Sequence, residues 1–462
     1  MADQAKFLTG NLFRHVTVMS LTASVGLMAI FAVDFVDMIF ISMLGKAELA
    51  AAVGYAGAIL FFTSSFGIGM AISAGALVAR ALGAGDEELA RRRATNSLIY
   101  GVLFGAIFAA LVWVNIPALA ALMGASGETL DLAVGYLRII IPSLPLLLVG
   151  MVGGAILRAH GNARASMMAT LWGGGVNAVL DPILIFGLDL ELTGAALASV
   201  AARFTIGFVA LMPIFRDLGG LTRPTIPGLR ADIGPVLTIA FPAIMTQFAT
   251  PVGQAYVTRS MAEYGEAAVA GMAVIGRLTP VAFGVLFALS GAVGPIIGQN
   301  FGAGLNDRVK GAFRDAMIFT AMVVVGVTAI LFGLRGPIAA LFEAEGITRE
   351  LIFLFCGPLA LAFFFNGVIF VANAAFNNLG HPYYSTWTNW GRHTLGTIPF
   401  VLIFGAWLGA PGVLIGQAVG GAVFAAIAVV MVFRVFRTEA AGPGDAPFKR
   451  HAREFALVHR HR

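Results

Sequence analysis

Long apolar runs, separated by charged or turn-rich breaks, fill the chain from about residue 14 to residue 436. A helix that crosses a bilayer takes about 20 apolar residues. The runs predict twelve membrane spans, at about 14–43, 50–79, 94–121, 132–158, 164–187, 193–215, 233–260, 267–299, 310–335, 350–377, 383–408 and 411–436. Several exceed 20 residues, so tilting or kinking is expected. The longest polar connection, RDLGGLTRPTIPGLRAD at 216–232, falls between spans six and seven. The expected organisation is an N-terminal six-helix lobe (1–220), a cytoplasmic linker (221–232), a C-terminal six-helix lobe (233–437) and a basic cytoplasmic tail (438–462).

Composition turns this pattern into a class. Of 462 residues 59% are hydrophobic and 11% charged, against about 25% charged in soluble domains. A mean hydropathy of +0.89 agrees. An all-α integral membrane protein is predicted. The lone cysteine, Cys356, excludes an internal disulfide and a cysteine metal cluster. The first apolar run is too long for the core of a cleavable signal peptide, and none is expected.

Charge sets the expected orientation. Loops after even-numbered spans and both tails hold 21 of the 29 Lys and Arg residues, and loops after odd-numbered spans hold four: Lys46, Arg259, Arg335 and Arg349. The positive-inside rule then places both termini in the cytoplasm. The net charge of +5 has a topological cause, and the basic tail is read as facing anionic lipid rather than nucleic acid.

The chain repeats itself. ARALGAGDEELARR at 79–92 recurs as GQNFGAGLNDRVKG at 298–311, and RAHGNARAS at 158–166 recurs as NNLGHPYYS at 377–385. The stretch after span one, from Leu44, recurs from Tyr264. Six spans per repeat is an even number, so the halves are expected to be parallel repeats, a plan known from alternating-access transporters.

Catalytic motifs are missing: there is no GxxxxGK[ST], HExxH, GxSxG or Cys/His ligand cluster. No enzyme activity and no cofactor are expected. His451, His459 and His461 are read as part of a solvated tail. Acids carry the sharper signal, because Asp34, Asp37 and Asp181 lie well inside expected spans. Carboxylates at membrane depth are costly and functional by default. Asp34 and Asp37, three apart, share a helix face and can share a proton or cation. All three belong to the first half; at an offset of about 220, Asp37 falls opposite Val257, Asp34 opposite Gln254, and Asp181 opposite Pro399 or Phe400.

Arg138, Arg203, Arg277 and Arg392 also lie within spans and are read first as structural partners, with Arg277 a candidate for the substrate cleft. Soft and flat side chains (Met28, Phe31, Phe66, Met70, Phe283 and Phe287) suit a pocket that accepts many shapes, with Asp34 beside them. Pro142, Pro145, Pro182, Pro242, Pro251, Pro280 and Pro358 are expected to kink their spans.

FVDMIFISMLGKAEL (35–49), LGAGDEELARR (82–92), NAVLDPILIFG (177–187), GAALASV (194–200) and GQNFGAG (298–304) resemble the multidrug and toxic compound extrusion (MATE) family, over nearly the whole chain. Asn177 with Asp181 is similar to the DinF-like branch. The resemblance implies two six-helix lobes around a central cleft and an antiporter for amphipathic or cationic organic compounds, coupled to H+ or Na+. It implies a cation site of Asp37, Asn177, Asp181 and Ser199, with possible Na+ at Asp37, Asn177 and Asp181. Two departures stand out. Thr22 replaces the usual proline of span one, although Pro242 keeps it in the second half. The NorM-like second-lobe site aligns with Thr250, Phe364 and Val368, which offer no acid. The expectation is a multi-pass inner-membrane antiporter, monomeric, with lipid and small organic molecules as partners. The alternative is a flippase for a lipid-linked saccharide.

Overall fold

The computed structural model describes residues 5–438, and the tail histidines lie outside them. The described chain is helical throughout: α1 Leu12–Met43, α2 Ala47–Gly83, α3 Glu87–Val114, α4 Ile116–Leu122, α5 Gly127–Ile140, α6 Leu144–Ala159, α7 Ala163–Pro182, α8 Glu191–Asp217, α9 Ile226–Ala262, α10 Glu266–Gly302, α11 Asn306–Leu341, α12 Gly346–Leu354, α13 Ala360–Leu379, α14 Pro382–His393, α15 Ile398–Leu408 and α16 Ala410–Thr438. In lipid every backbone polar group must be satisfied within the segment, which helices achieve.

Eleven of the twelve expected spans are helices, or helices joined through a short kink, long and apolar enough to cross a membrane. The remaining one, expected at 383–408, is divided into α14 and α15, because Thr394 (φ −108°, ψ −82°) leaves helical geometry. Large apolar side chains remain on the surface, with Trp172, Trp387 and Trp407 at 58%, 75% and 76% exposure. Water would not tolerate so much apolar surface, whereas acyl chains do.

Prolines shape several spans as expected. Pro142 lies within the 3-10 turn Ile141–Ser143 that joins α5 to α6, and Pro145 follows it in the first turn of α6. Pro280 precedes a kink at Phe283 (φ −111°, ψ 18°) in α10, and Pro358 lies in a π turn where Gly357 departs to φ −120°, ψ −106°. The α2–α3 turn shows the repeat at atomic scale. Gly85 takes φ +75°, and Gly304 takes φ +78° at the matching place between α10 and α11. A side chain would strain both.

The chain forms two compact units: one contains Val25–Ala240, the other joins Lys6–Ser24 to the chain from Phe241. The division falls inside α1 and α9. In the first unit α2 packs on α6, α3 and α5, and α8 packs on α7 and α6. In the second, α10 packs on α13 and α11, and α16 packs on α15 and α13, the same pairings one repeat later. The connection expected to run to residue 232 is shorter, since α9 begins at Ile226. Its early part is anchored in the first unit: Asp232, 2% exposed, accepts from Arg92 at 3.1 and 3.2 Å and from Asn96 at 2.7 Å. The second unit anchors its leading segment without an acid, through backbone carbonyls and an amide. Arg308 donates to the carbonyls of Phe7, Thr9 and Gly10, and Gln299 accepts from Phe7 N.

Candidate functional site

The α7 helix carries NAVLD at its end, so Asn177 and Asp181 stand four residues apart on one face. Both are buried, at 5% and 0% exposure. Asn177 Nδ2 donates to Asp181 Oδ2 at 2.7 Å and is shared with Asp37 of α1, 3.3 Å from Oδ1 and 3.4 Å from Oδ2. The Asp37 and Asp181 carboxyls lie within hydrogen-bonding reach of each other. Two carboxylates placed so closely need a proton or a cation between them. Asp181 Oδ1 is buried without a donor, which leaves an acceptor free for either.

Ser199, half-buried on α8, lies beside Tyr136 of α5. Tyr136 in turn stands close enough to Asp37 and Asp181 to feel their charge. The four expected residues therefore gather in one region of the first unit, and Tyr136 joins them. Sequence reading passed over Tyr136; a lone phenol inside a span was the available signal. Arg203, one turn along from Ser199, is not a partner of the acids. Its Nη1 donates to Ile140 O at 3.1 Å and to Ser143 Oγ at 2.9 Å, filling the gap in the helix ladder opened by the turn before Pro145. Arg138 is exposed.

An apolar layer covers one end of this site. Ile41, Leu49, Ala52, Ala133, Ile185, Leu192 and Ala195 form a buried cluster. Ile41 is one turn beyond Asp37, Ile185 one turn beyond Asp181, Ala195 one turn from Ser199, and Ala133 three residues from Tyr136. Each site residue thus has a cluster member beside it on its own stretch of chain. The layer lies on the side of the α1–α2 turn.

The candidate cleft residues divide. Asp34 is exposed on α1, and Met28 and Phe31 are half-buried there. Phe66 stacks on Phe108 with centroids 5.0 Å apart. Phe287, 37% exposed, packs against Phe370 at 5.3 Å, and Arg277 is exposed on α10. Met70 and Phe283 require correction. At 1% and 0% exposure they sit in the interiors of their own units, Phe283 stacked on Phe363 at 4.0 Å, and present no surface to a substrate. Thr250 lies on α9, while Phe364 and Val368 belong to an apolar cluster with Ile369 and Ala425.

The MatE family model matches residues 22–183 and again 242–403, two segments beginning 220 positions apart. The chain belongs to this family of membrane transport proteins and is not an enzyme. It is 28% identical to the FAD transporter of Shewanella oneidensis over 90% of this chain and 93% of that protein. It is 24% identical to the multidrug export protein MepA of Staphylococcus haemolyticus, over 92% and 94% respectively. The solved structure of the VcmN MATE transporter of Vibrio cholerae covers 95% of the chain with a TM-score of 0.88 at 21% identity, 99% of that chain being matched. A MOP superfamily transporter of Pyrococcus furiosus gives 0.87 at 22% identity, with 94% and 99% covered. The last two share the fold of two six-helix repeats.

Proposed function

We propose that this protein is a secondary antiporter of the plasma (inner) membrane that exports amphipathic or cationic organic compounds by alternating access, with both termini in the cytoplasm. Its coupling ion binds at Asp37 and Asp181 around Asn177, and Ser199 completes the group through Tyr136. The single observation that carries this reading is the pair of carboxyls meeting over one buried amide. The kinship with two multidrug-export and FAD-transport relatives supports the transport class.

The ion is H+ on this reading. Na+ prefers a shell of oxygen ligands, as hard cations do. Here the amide turns its NH2 group toward both acids and contacts three of their four oxygens. A proton needs only the carboxyl pair. Coupling follows from linkage: ion uptake at the acids must differ between the drug-loaded and drug-free or inward and outward states. Of the four arginines within spans that bear on the flippase alternative, Arg203 is engaged by Ile140 and Ser143.

Proteoliposomes loaded with ethidium test this. A pH gradient alone should drive dye transport and a sodium gradient alone should not. Transport driven by sodium at fixed pH would replace H+ with Na+, and transport indifferent to both gradients would sink the antiport reading.

A further inference from the structure

The second unit has a cationic centre that the acids of the first unit do not serve. It forms where α14 gives way to α15. His393, the last residue of α14, is 2% exposed, and neither of its ring nitrogens has a hydrogen-bond partner. Arg392 is half-buried beside it, with Nη1 buried and also without a partner. Among the described residues Arg392 is the charge that acts on His393, and no acid is paired with either. α9 packs against this turn: Trp390 Nε1 donates to Met245 O at 2.8 Å, and a Cβ on Gly253 would collide with the imidazole. Thr397 Oγ1 donates to Arg392 O at 2.9 Å and holds the turn closed.

Such an arrangement lacks one component. A guanidinium withdrawn from water without a counter-ion is costly, and buried charges in stable folds are paired. A neutral imidazole carries one N–H to donate. Another cation would be repelled here, because Arg392 is already charged. Arg392 Nη1 and a ring N–H of His393 are donors without an acceptor, which an oxyanion supplies.

We propose that Arg392 and His393 form an anion site in the second unit, taking the phosphate, sulfate or carboxylate group of an organic substrate or a free inorganic oxyanion. The site deepens the transport reading, on which it rests only for the source of the anion. Gly253 is a positioning residue that admits the imidazole, while Arg392 and His393 touch the ligand.

Sulfate binding to the purified full chain in detergent is the direct test, measured by calorimetry at constant ionic strength. Wild type should bind sulfate saturably. Arg392→Gln should weaken binding by about tenfold or more, His393→Leu by less, and Arg392→Lys should recover part of the loss, because charge without the fork is a poorer match. Arg335→Gln removes an equal charge from a residue stacked on Phe332 and Phe353 and should leave sulfate affinity unchanged. Competition by FAD would identify the anion as part of an organic substrate. Sulfate binding without competition would identify a free inorganic anion, and both results support the site. Equal sulfate affinity in wild type, Arg392→Gln and Arg335→Gln would overturn it. Equally stable thermal melts of the variants exclude misfolding as the cause of a loss. Failure of gradient-driven dye transport, by contrast, bears on the antiport reading and leaves the binding comparison intact.

Discussion

Two regions one repeat apart have the same helices and opposite chemistry. Between α1 and α7 the first unit buries Asp37 and Asp181 around Asn177. The corresponding place of the second unit, between α9 and the α14–α15 pair, holds Val257, fully buried, with His393 and Arg392. Packing is exchanged too. A Cβ on Gly174 of α7 would lie 3.1 Å from the Val33 side chain of α1, whereas in the second unit the glycine is on α9, at Gly253, and the large side chain is His393. The backbone differs with it. α7 stays helical until Pro182, while its counterpart breaks at Thr394. A duplicated scaffold has kept its pairings and divided its polar functions, acids in one half and bases in the other.

The largest test of that division is Asp37→Asn. It keeps size and polarity but removes the carboxylate proposed to take up the coupling ion. Moving an equilibrium from 1:99 to 99:1 requires about 5.5 kcal/mol of differential binding, and a neutral amide supplies far less. Gradient-driven ethidium efflux from proteoliposomes should be lost, with the thermal melt unchanged or raised by relief of the acid–acid contact. Asp181→Asn should do the same. Wild-type efflux in both variants would make the acid site structural.

The next effect concerns how the units hold the segments that lead into them. Asp232 is buried with Arg92, Asn96 and Arg93, the last at 3.9 Å. The second unit does the same job with carbonyls and Arg308. Removing one partner of a buried ionic cluster costs about 3–5 kcal/mol; Arg92 is 42% exposed, so the lower end applies to Asp232→Ala. Arg308→Ala loses hydrogen bonds to neutral carbonyls and should cost less in the same melts. The reverse order would show that the charged anchor is the weaker one.

Ser199→Ala sharpens the comparison further. Ser199 reaches the acids through Tyr136 and so should change the pH midpoint of efflux with little loss of maximal rate. Tyr136→Phe should resemble it. An efflux loss as complete as that of Asp37→Asn would place Ser199 in direct contact with the ion.

Much of this is legible in the sequence. Apolar run length marked the spans, the repeat offset of about 220 marked the halves, and the rarity of acids at depth singled out Asp37 and Asp181. What stayed hidden has physical reasons. A bilayer is as apolar as a helix–helix interface, so apolar pattern cannot tell lipid-facing residues from buried ones; Met70 and Phe283 fell on the wrong side of that ambiguity. The break at Thr394–Thr397 has no proline within it, only Gly396. The anchoring of Asp232 depends on Arg92, 140 positions away, and a polar run at 216–232 reads as linker without it.

The smallest effect should come from Lys46 and Glu191, whose 2.7 Å ion pair joins the starts of α2 and α8 in the first unit. The second repeat has no counterpart, since Glu266 stands at the place of Lys46. That asymmetry invites a functional reading, as a strap over the apolar layer above the acids. Exposure argues against it, with the two side chains at 56% and 34%. Water screens such pairs, and holding two long side chains in one geometry costs entropy. The Glu191 carboxylate does hold the Lys46 ammonium above the ordinary lysine range. A raised folded-state value means that any stabilisation is complete at neutral pH and is lost only as pH climbs through that raised value. Lys46→Met should therefore leave the melting temperature within replicate scatter at pH 7, at low and high salt, and leave ethidium efflux at its wild-type rate. A salt-dependent drop in either would make this pair a gate, and would move the functional asymmetry of the two halves from the buried acids to the surface.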